Sequence, residues 1–220
     1  MSSPRHVFIT GGTGYLGRHL IPVLAKRGHL IRALVRPGSE KKLPSGVISI
    51  LGDPLDKSSY ADRVRPSDTF IHLVGVSRPS PAKADQFRQI DRVSAMLAIE
   101  AAVESDISHF VYLSVAHPAP VMKAYISVRT ECEDFLCSSG LNTTIVRPWY
   151  VLGPGHGWPQ VLLPIYWVCE LLPATREGAR RLGLVTIDQM VGTLTWAVEN
   201  PQGLEEGNSS VRVLEVPQIR

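Results

Sequence analysis

Residues 7–20, with the sequence VFITGGTGYLGRHL, decide how the rest of the chain folds. A short apolar run enters a turn that contains four glycines, and apolar residues at helical spacing follow it. We therefore predict a strand, a tight loop and a helix whose positive N-terminal end faces the loop. Unpaired amides at such a helix end bind anions, so the stretch predicts a phosphate site.

The glycines of this stretch have separate tasks. Gly11 and Gly14 would let the backbone turn sharply and approach a pyrophosphate, and Gly17 would let the helix pack against its strand. Because the glycines follow a strand and precede a helix at the start of the chain, they predict the first βα unit of a dinucleotide-binding fold. The alternative is a glycine-rich turn that binds nothing.

Composition is that of an ordinary globular protein. A chain of 220 residues can bury a full core, and we predict a single domain over residues 1–220. The formal net charge is +3 without a long basic run, so we expect no nucleic-acid partner. The three cysteines lack metal-ligand spacing, which favours free thiols in a reducing compartment and no metal site.

No segment of the sequence is typical of membrane insertion or export. The first predicted strand begins within a few residues of the N-terminus, and we therefore expect no signal peptide. The most apolar stretch, residues 161–172, is too short to span a bilayer and contains Pro164 and Glu170. We expect a soluble, cytoplasmic protein.

Strand and helix patterns alternate along most of the chain. This rhythm predicts βαβ units in an α/β fold, a doubly wound parallel Rossmann sheet with helices on both faces. After Val151 the rhythm breaks, and residues 152–220 are expected to contribute a small C-terminal cap on the substrate side. The predicted strands are 7–9, 30–35, 47–51, 69–74, 109–114, 143–147 and 211–216, and the predicted helices are 15–26, 56–64, 83–104, 125–137, 161–172 and 187–198.

The clearest helical pattern lies in residues 83–104. Phe87, Ile90, Ser94, Leu97 and Ala101 are separated by 3, 4, 3 and 4 residues. This spacing predicts that the five side chains form one buried helix face.

The end of the second strand distinguishes the two common dinucleotides. An acidic residue there usually binds the ribose hydroxyls of NAD, whereas this chain has Arg36, with Lys41 and Lys42 nearby. A guanidinium can pair with a 2′-phosphate, which favours NADP over NAD; the alternative is a solvated arginine. Asp53 is expected either to bind the adenine amino group or to form an Asp-Pro turn.

Several motifs in a fixed order point to a known family. The chain resembles the extended and atypical short-chain dehydrogenases/reductases, including their sugar-epimerase-like and NADP-binding relatives, over about residues 5–200. The motifs are TGGTGYLG at 10–17, LVR at 34–36, GD at 52–53, FVYLS at 110–114, Tyr125-x-x-x-Arg129, RPWYVLGPG at 147–155 and VTID at 185–188.

The resemblance implies a set of cofactor-binding residues. Arg36 would read the 2′-phosphate. The diphosphate loop would comprise Gly11, Thr13, Gly14, Tyr15, Leu16 and Gly17; the riboses would contact Leu73, Val74 and Gly75; and the nicotinamide carboxamide would contact the segment from Pro148 to Val151.

The family's chemistry uses a tyrosine, a lysine four residues later and a nearby serine. Tyr125 matches the tyrosine, but Arg129 replaces the lysine. A phenol has a pKa near about 10, and a cation beside it on the same helix face favours the phenolate. Ser114 could orient a substrate carbonyl. The alternative for Tyr125 is an aromatic side chain that packs against the sheet.

The resemblance implies three functions. The first is an NADP-dependent oxidoreductase acting on a small carbonyl, sugar or quinone-like molecule; the others are a non-catalytic redox sensor or regulator and a structural assembly subunit. By analogy, helices 83–104 and 125–137 would form a homodimer interface. A group of aromatic residues would line the substrate pocket, form the core of the cap or provide a contact surface: Trp149, Tyr150, Trp158, Tyr166 and Trp167.

Overall fold

The glycine-rich stretch joins a strand to a helix in the computed structural model, which describes residues 3–155, 175–201 and 210–220. Strand β1 (His6–Thr10) enters the loop, and helix α1 (Gly17–Lys26) leaves it. Helix α1 buries Leu20, Ile21 and Leu24, and Val23 packs partly buried against the same core. The local prediction is confirmed.

Strands and helices alternate through the described residues as the pattern predicts. The further strands are β2 (Leu30–Val35), β3 (Ile48–Leu51), β4 (Thr69–His72), β5 (His109–Leu113), β6 (Thr143–Arg147), β7 (Tyr150–Leu152), β8 (Leu184–Thr186) and β9 (Val211–Glu215). The further helices are α2 (Ala84–Gln86), α3 (Val93–Glu104), α4 (Lys123–Ser138), α5 (Arg176–Arg181), α6 (Ile187–Glu199) and α7 (Val216–Ile219).

A seven-stranded parallel sheet organises the fold. Its strand order is β3-β2-β1-β4-β5-β6-β9, and β7 and β8 form a separate parallel pair. The chain winds in opposite directions on either side of the β1–β4 neighbours. In such sheets ligands bind at the carboxyl ends of the strands beside this switch point.

Helices cover the sheet on both faces. On one face α1 packs with α6, where Leu20 and Leu24 share a core with Met190 and Leu194. On the other face α3 and α4 pack over a second core that contains Phe70. The α/β doubly wound Rossmann fold is therefore confirmed.

The prediction of one helix over 56–64 is wrong. The segment forms two short 3₁₀ turns, Lys57–Ser59 and Ala61–Arg63. The Asp56 carboxylate accepts the Ser58 amide at 3.1 Å, and the Ser59 hydroxyl donates to the Asp56 carbonyl at 2.6 Å. These local hydrogen bonds compete with a regular helix.

The predicted buried face over 83–104 is also shifted. A π-helical turn at Phe87–Arg92 lies between α2 and α3. Because a π turn holds more residues than an α turn, Asp91 rather than Ile90 follows Phe87 into the interior. Farther along, Ala98 is fully buried, whereas Leu97 is only partly buried.

The described C-terminal residues extend the sheet and cover one of its faces. Strand β9 pairs with β6 in parallel, and α6 packs against α1. The predicted helix 161–172 lies outside the described residues, and the cap over 152–220 stays a prediction. Within the described ranges, no helix combines the length and apolar character needed to cross a bilayer.

Candidate dinucleotide site

The glycine loop lies in backbone contact with the end of β4. Gly11 has φ +76°, and a Cβ there would lie 2.8 Å from the Leu73 carbonyl carbon and 2.9 Å from the Val74 nitrogen. Only a residue without a side chain allows this approach. The structure thus brings the loop together with the segment after β4 that was expected to contact the riboses.

Gly17 lets α1 begin directly against the loop. A Cβ on Gly17 would overlap the carbonyl oxygens of Gly11 and Gly12. The N-cap residue Leu16 makes no side-chain capping bond, and the first turn of α1 contains no acidic residue. Because neither a capping side chain nor a carboxylate occupies this helix end, its positive N-terminal end is suited to a phosphate group.

Tyr15 extends from the loop toward the segment that contains Pro148 and Val151. A Cβ on Gly153 would overlap the Tyr15 hydroxyl, so the two positions are in close contact. Pro148 is buried and its carbonyl accepts the Ala116 amide at 2.9 Å. Val151 pairs with Val185 in the β7–β8 ladder. Thr13 is partly buried in the loop.

The end of β2 presents a positive surface. Arg36 is exposed directly after β2, and Lys41 and Lys42 are exposed on the following 3₁₀ turn, Glu40–Lys42. Among the described residues, the Arg36 guanidinium forms no ion pair. It is therefore available to an anionic ligand.

Asp53 forms the turn that was one of its two predicted roles. Its Oδ1 accepts the Leu55 amide at 2.9 Å, as in an Asx turn. The carboxylate remains exposed. A contact with adenine stays a prediction.

Tyr125 and Arg129 lie together on α4. The Arg129 guanidinium carbon is 5.1 Å from the centroid of the Tyr125 ring, and the ring also packs against Phe87 at 4.9 Å between centroids. Burial raises the pKa of the Tyr125 phenol above its usual value, while the positive charge of Arg129 acts in the opposite direction. The tyrosine is therefore held in its protonated form at neutral pH.

The Arg129 guanidinium is bound by protein groups. Its Nη1 donates to the Leu113 carbonyl at 2.8 Å and to the Tyr112 hydroxyl at 3.3 Å, and its Nη2 donates to Asp91 at 2.5 Å. A Cβ on Gly75 would overlap Nη2, so the guanidinium lies against the segment after β4. Its Nε hydrogen has no partner among the described residues.

Ser114 donates its hydroxyl hydrogen to a buried carboxylate. The hydroxyl donates to the buried Glu133 carboxylate, which also forms an ion pair with Arg147 at the end of β6. His117 Nε2 lies 3.5 Å from the same carboxylate. As long as Glu133 accepts this hydrogen, Ser114 has no hydrogen left to donate to a carbonyl.

Asp91 and Glu133 are the charged residues that sequence reasoning missed. Asp91 is 38 residues from its partner Arg129, and no spacing rule connects two residues so far apart. Glu133 lies eight residues after Tyr125 on the same helix, and this helical spacing was the available signal. Of the predicted aromatic group, Trp149 and Tyr150 contact each other at 5.5 Å between ring centroids, and the other members lie outside the described residues.

A glycine backbone cradle, the N-terminal end of a helix and an exposed arginine without an ion pair among the described residues lie along this edge, and groups of these kinds are suited to the phosphates of a dinucleotide. The sequence profile of the NAD(P)H-binding family matches residues 11–158. The chain belongs to this family. The match spans the glycine loop, the end of β4 and helix α4.

Curated relatives of this NAD(P)H-binding chain include reductases with varied substrates. It is 29% identical over 176 residues to the ceramide reductase of Caulobacter vibrioides, covering 79% of this chain and 55% of that protein. It is 28% identical over 162 residues to the mitochondrial NADH-ubiquinone oxidoreductase 40 kDa subunit of Neurospora crassa, covering 70% and 42%. The chain spans about half the length of the curated relatives it matches.

Solved structures support the fold. The Bordetella bronchiseptica enzyme WbmH in complex with NAD⁺ matches with a TM-score of 0.69 at 20% identity, covering 96% of this chain and 75% of that one. The Thermus thermophilus UDP-glucose 4-epimerase complex with NAD matches with a TM-score of 0.68 at 16% identity, covering 97% and 80%. Together with the family match, they confirm the expected NAD(P)-binding Rossmann fold.

Proposed function

We propose that the protein is an NADP(H)-dependent oxidoreductase that reduces a small carbonyl, sugar or quinone-like substrate. The observation that carries this proposal is the place of Arg129, beside Tyr125 on one side and against Gly75 on the other. Gly75 follows the same strand end that the glycine loop contacts. A proton donor and a dinucleotide would therefore meet at one edge of the sheet.

The cofactor side rests on the glycine loop and Arg36. The glycine loop and the positive N-terminal end of α1 would hold the diphosphate, and Arg36 would pair with the 2′-phosphate that distinguishes NADP from NAD. NADPH, when bound, supplies a hydride. The names of the reductases among the relatives agree with this direction of reaction.

Tyr125 would serve as the proton donor. Burial holds its phenol protonated, so the side chain can give a proton to a developing alkoxide. The Arg129 charge 5.1 Å from the ring would stabilise the phenolate as it forms. A raised pKa favours reduction over oxidation because oxidation needs the phenolate at the start.

Replacing Tyr125 with phenylalanine tests this role. We expect Tyr125→Phe to lower kcat for NADPH oxidation at least about 100-fold, with an aldehyde, ketone or quinone that the wild type reduces. Its affinity for NADPH should stay within about twofold, because the ring and its packing on Phe87 are kept.

Tyr60→Phe is the matched control for this experiment. Tyr60 is fully buried in the same core, and its hydroxyl has no hydrogen-bond partner among the described residues. The control should retain wild-type activity. Undiminished turnover in Tyr125→Phe would refute the proton-donor role.

A binding-only protein, either a redox sensor or a structural assembly subunit, is the second candidate. The observation that favours it is the engagement of both Arg129 Nη groups by protein acceptors, which commits three of their four hydrogens within the protein. Such a protein would bind NADPH but would show no turnover with any carbonyl or quinone. A substrate panel with the wild type separates the two functions.

A further inference from the structure

A buried ion pair connects the cofactor side of the site with Tyr125. The Asp91 side chain is 0% exposed and the Arg129 side chain 3% exposed, and Asp91 Oδ1 accepts Arg129 Nη2 at 2.5 Å. Buried charges of this kind persist only when they are paired and hydrogen-bonded. The sequence predicted a function for Arg129 but not for Asp91.

The second oxygen of Asp91 holds the chain where it leaves β4. Asp91 Oδ2 accepts the Val76 amide at 3.0 Å. Val76 directly follows Leu73, Val74 and Gly75, the residues that contact the glycine loop and Arg129. One carboxylate therefore restrains both the backbone beside the dinucleotide and the cation beside the tyrosine.

The π turn is the reason that Asp91 reaches this position. It lies at Phe87–Arg92 and carries both Phe87, which packs on Tyr125, and Asp91, which binds Arg129. π turns that interrupt α-helices are frequent at functional sites. Here the turn places two contacts to α4 on one side of the helix.

We propose that Asp91 is a positioning residue of the dinucleotide site, which fixes segment 73–76 through Val76 and fixes the cation beside Tyr125 through Arg129. The effect on the segment depends only on the dinucleotide site. The effect on Tyr125 rests on the proposed function. Neither effect requires Asp91 to touch the cofactor or the substrate.

Asp91→Asn is the test because it keeps the shape of the side chain but removes its charge. An amide offers one oxygen, so either Val76 or Arg129 faces a donor instead of an acceptor. We expect the NADPH dissociation constant, measured by calorimetry, to rise at least about tenfold. We also expect the Val76 amide to exchange with deuterium at least about tenfold faster.

A titration of Tyr125 provides a readout that a loss of stability alone would not produce. The Asp91 carboxylate is one of the causes that raise the pKa of Tyr125. Removing its charge should therefore lower the pH at which Tyr125 ionises, measured by phenolate absorbance as a difference from the Tyr125→Phe background. An unchanged titration together with unchanged NADPH affinity would overturn the proposal.

Glu131→Gln is the matched control. Glu131 lies on α4 and pairs at 2.6 Å with Arg92 of the π turn, so this exposed ion pair joins the same two segments. The control should leave NADPH affinity, Val76 exchange and the Tyr125 titration within about twofold of wild type. The proposal would also be overturned if Glu131→Gln changed the NADPH affinity, the Val76 exchange and the Tyr125 titration as much as Asp91→Asn does.

A double variant covers the case in which Asp91→Asn does not fold. Asp91→Asn with Arg129→Gln leaves no unpaired buried charge, so the core can tolerate it. Wild-type NADPH affinity and Val76 exchange in a folded double variant would refute the positioning role. If the wild type binds no NADPH, the proposed function fails, whereas Val76 exchange and the Tyr125 titration still decide the role of Asp91.

Discussion

The two halves of the candidate site are built in opposite ways. The half on β1 and α1 depends on missing side chains, because a Cβ on Gly11 or Gly17 would meet backbone atoms. The half on α4 depends on buried charges, because Asp91 and Arg129 neutralise each other in the interior. The first half is therefore sensitive to added volume, whereas the second is sensitive to lost charge.

Gly17→Ala should give the largest effect, because it adds volume where backbone atoms cannot move aside. We expect a loss of about 3 kcal/mol in the free energy of unfolding, measured by urea denaturation, and loss of measurable NADPH binding. If a stable Gly17→Ala variant keeps its affinity for NADPH, then the close backbone contact at Gly17 is not needed for binding.

Gly192→Ala serves as the control for added volume. Gly192 is exposed on α6, and a Cβ there would meet nothing within 4 Å. We expect this variant to gain up to about 1 kcal/mol of stability, since alanine favours the helix over glycine. NADPH affinity should not change.

His72 lies between β1 and α3, and its replacement should give a smaller, pH-dependent effect on stability. Its Nδ1 lies 2.8 Å from Thr10 Oγ1 on β1, and its Nε2 lies 3.5 Å from Ser94 Oγ on α3. Burial lowers the pKa of His72 to about 3, and the Arg129 charge acts in the same direction. The folded protein therefore keeps His72 neutral at pH values where the unfolded chain protonates it.

The sign of the pH effect follows from this difference. As the pH falls below about 6.5, the unfolded state gains a proton that the folded state does not, so stability contributed by neutral His72 is lost. We expect His72→Gln to reduce the slope of unfolding free energy against pH by about 1.4 kcal/mol per unit between pH 6 and 4. His6→Gln is the comparison, and equal slopes in wild type and His72→Gln would contradict the prediction.

The sequence predicted the backbone-built half well because its signals are local. The glycine spacing, the apolar run before it and the helix after it all lie within 7–20, and β2 begins and ends at the predicted residues. Alternation of strands and helices then determined the parallel sheet.

The charge-built half could not be predicted in the same way. Its geometry depends on a π turn, and the spacing of Phe87 and Ile90 indicated an ordinary helix instead. The partners of Arg129 come from two other parts of the chain, Asp91 in the π turn and Tyr112 and Leu113 on β5, which only the fold brings together. The i,i+4 spacing of Tyr125 and Arg129 predicted their contact but not the acceptors that bind the guanidinium.

The smallest expected effect concerns the preference of the first half for NADPH over NADH. Arg36 is exposed, so its loss should not alter folding. Arg36→Ala should weaken NADPH binding about tenfold and leave NADH binding unchanged, because only NADPH has the 2′-phosphate. Lys26→Ala, an exposed change at the end of α1, is the control and should affect neither cofactor.

Calorimetric titration of the wild type and Arg36→Ala with NADPH and NADH tests the account most directly. We predict that the wild type binds NADPH at least about tenfold more tightly than NADH and that Arg36→Ala removes the difference. Equal wild-type affinities would contradict the choice of NADP. If neither dinucleotide binds with better than about millimolar affinity, the dinucleotide site itself is contradicted.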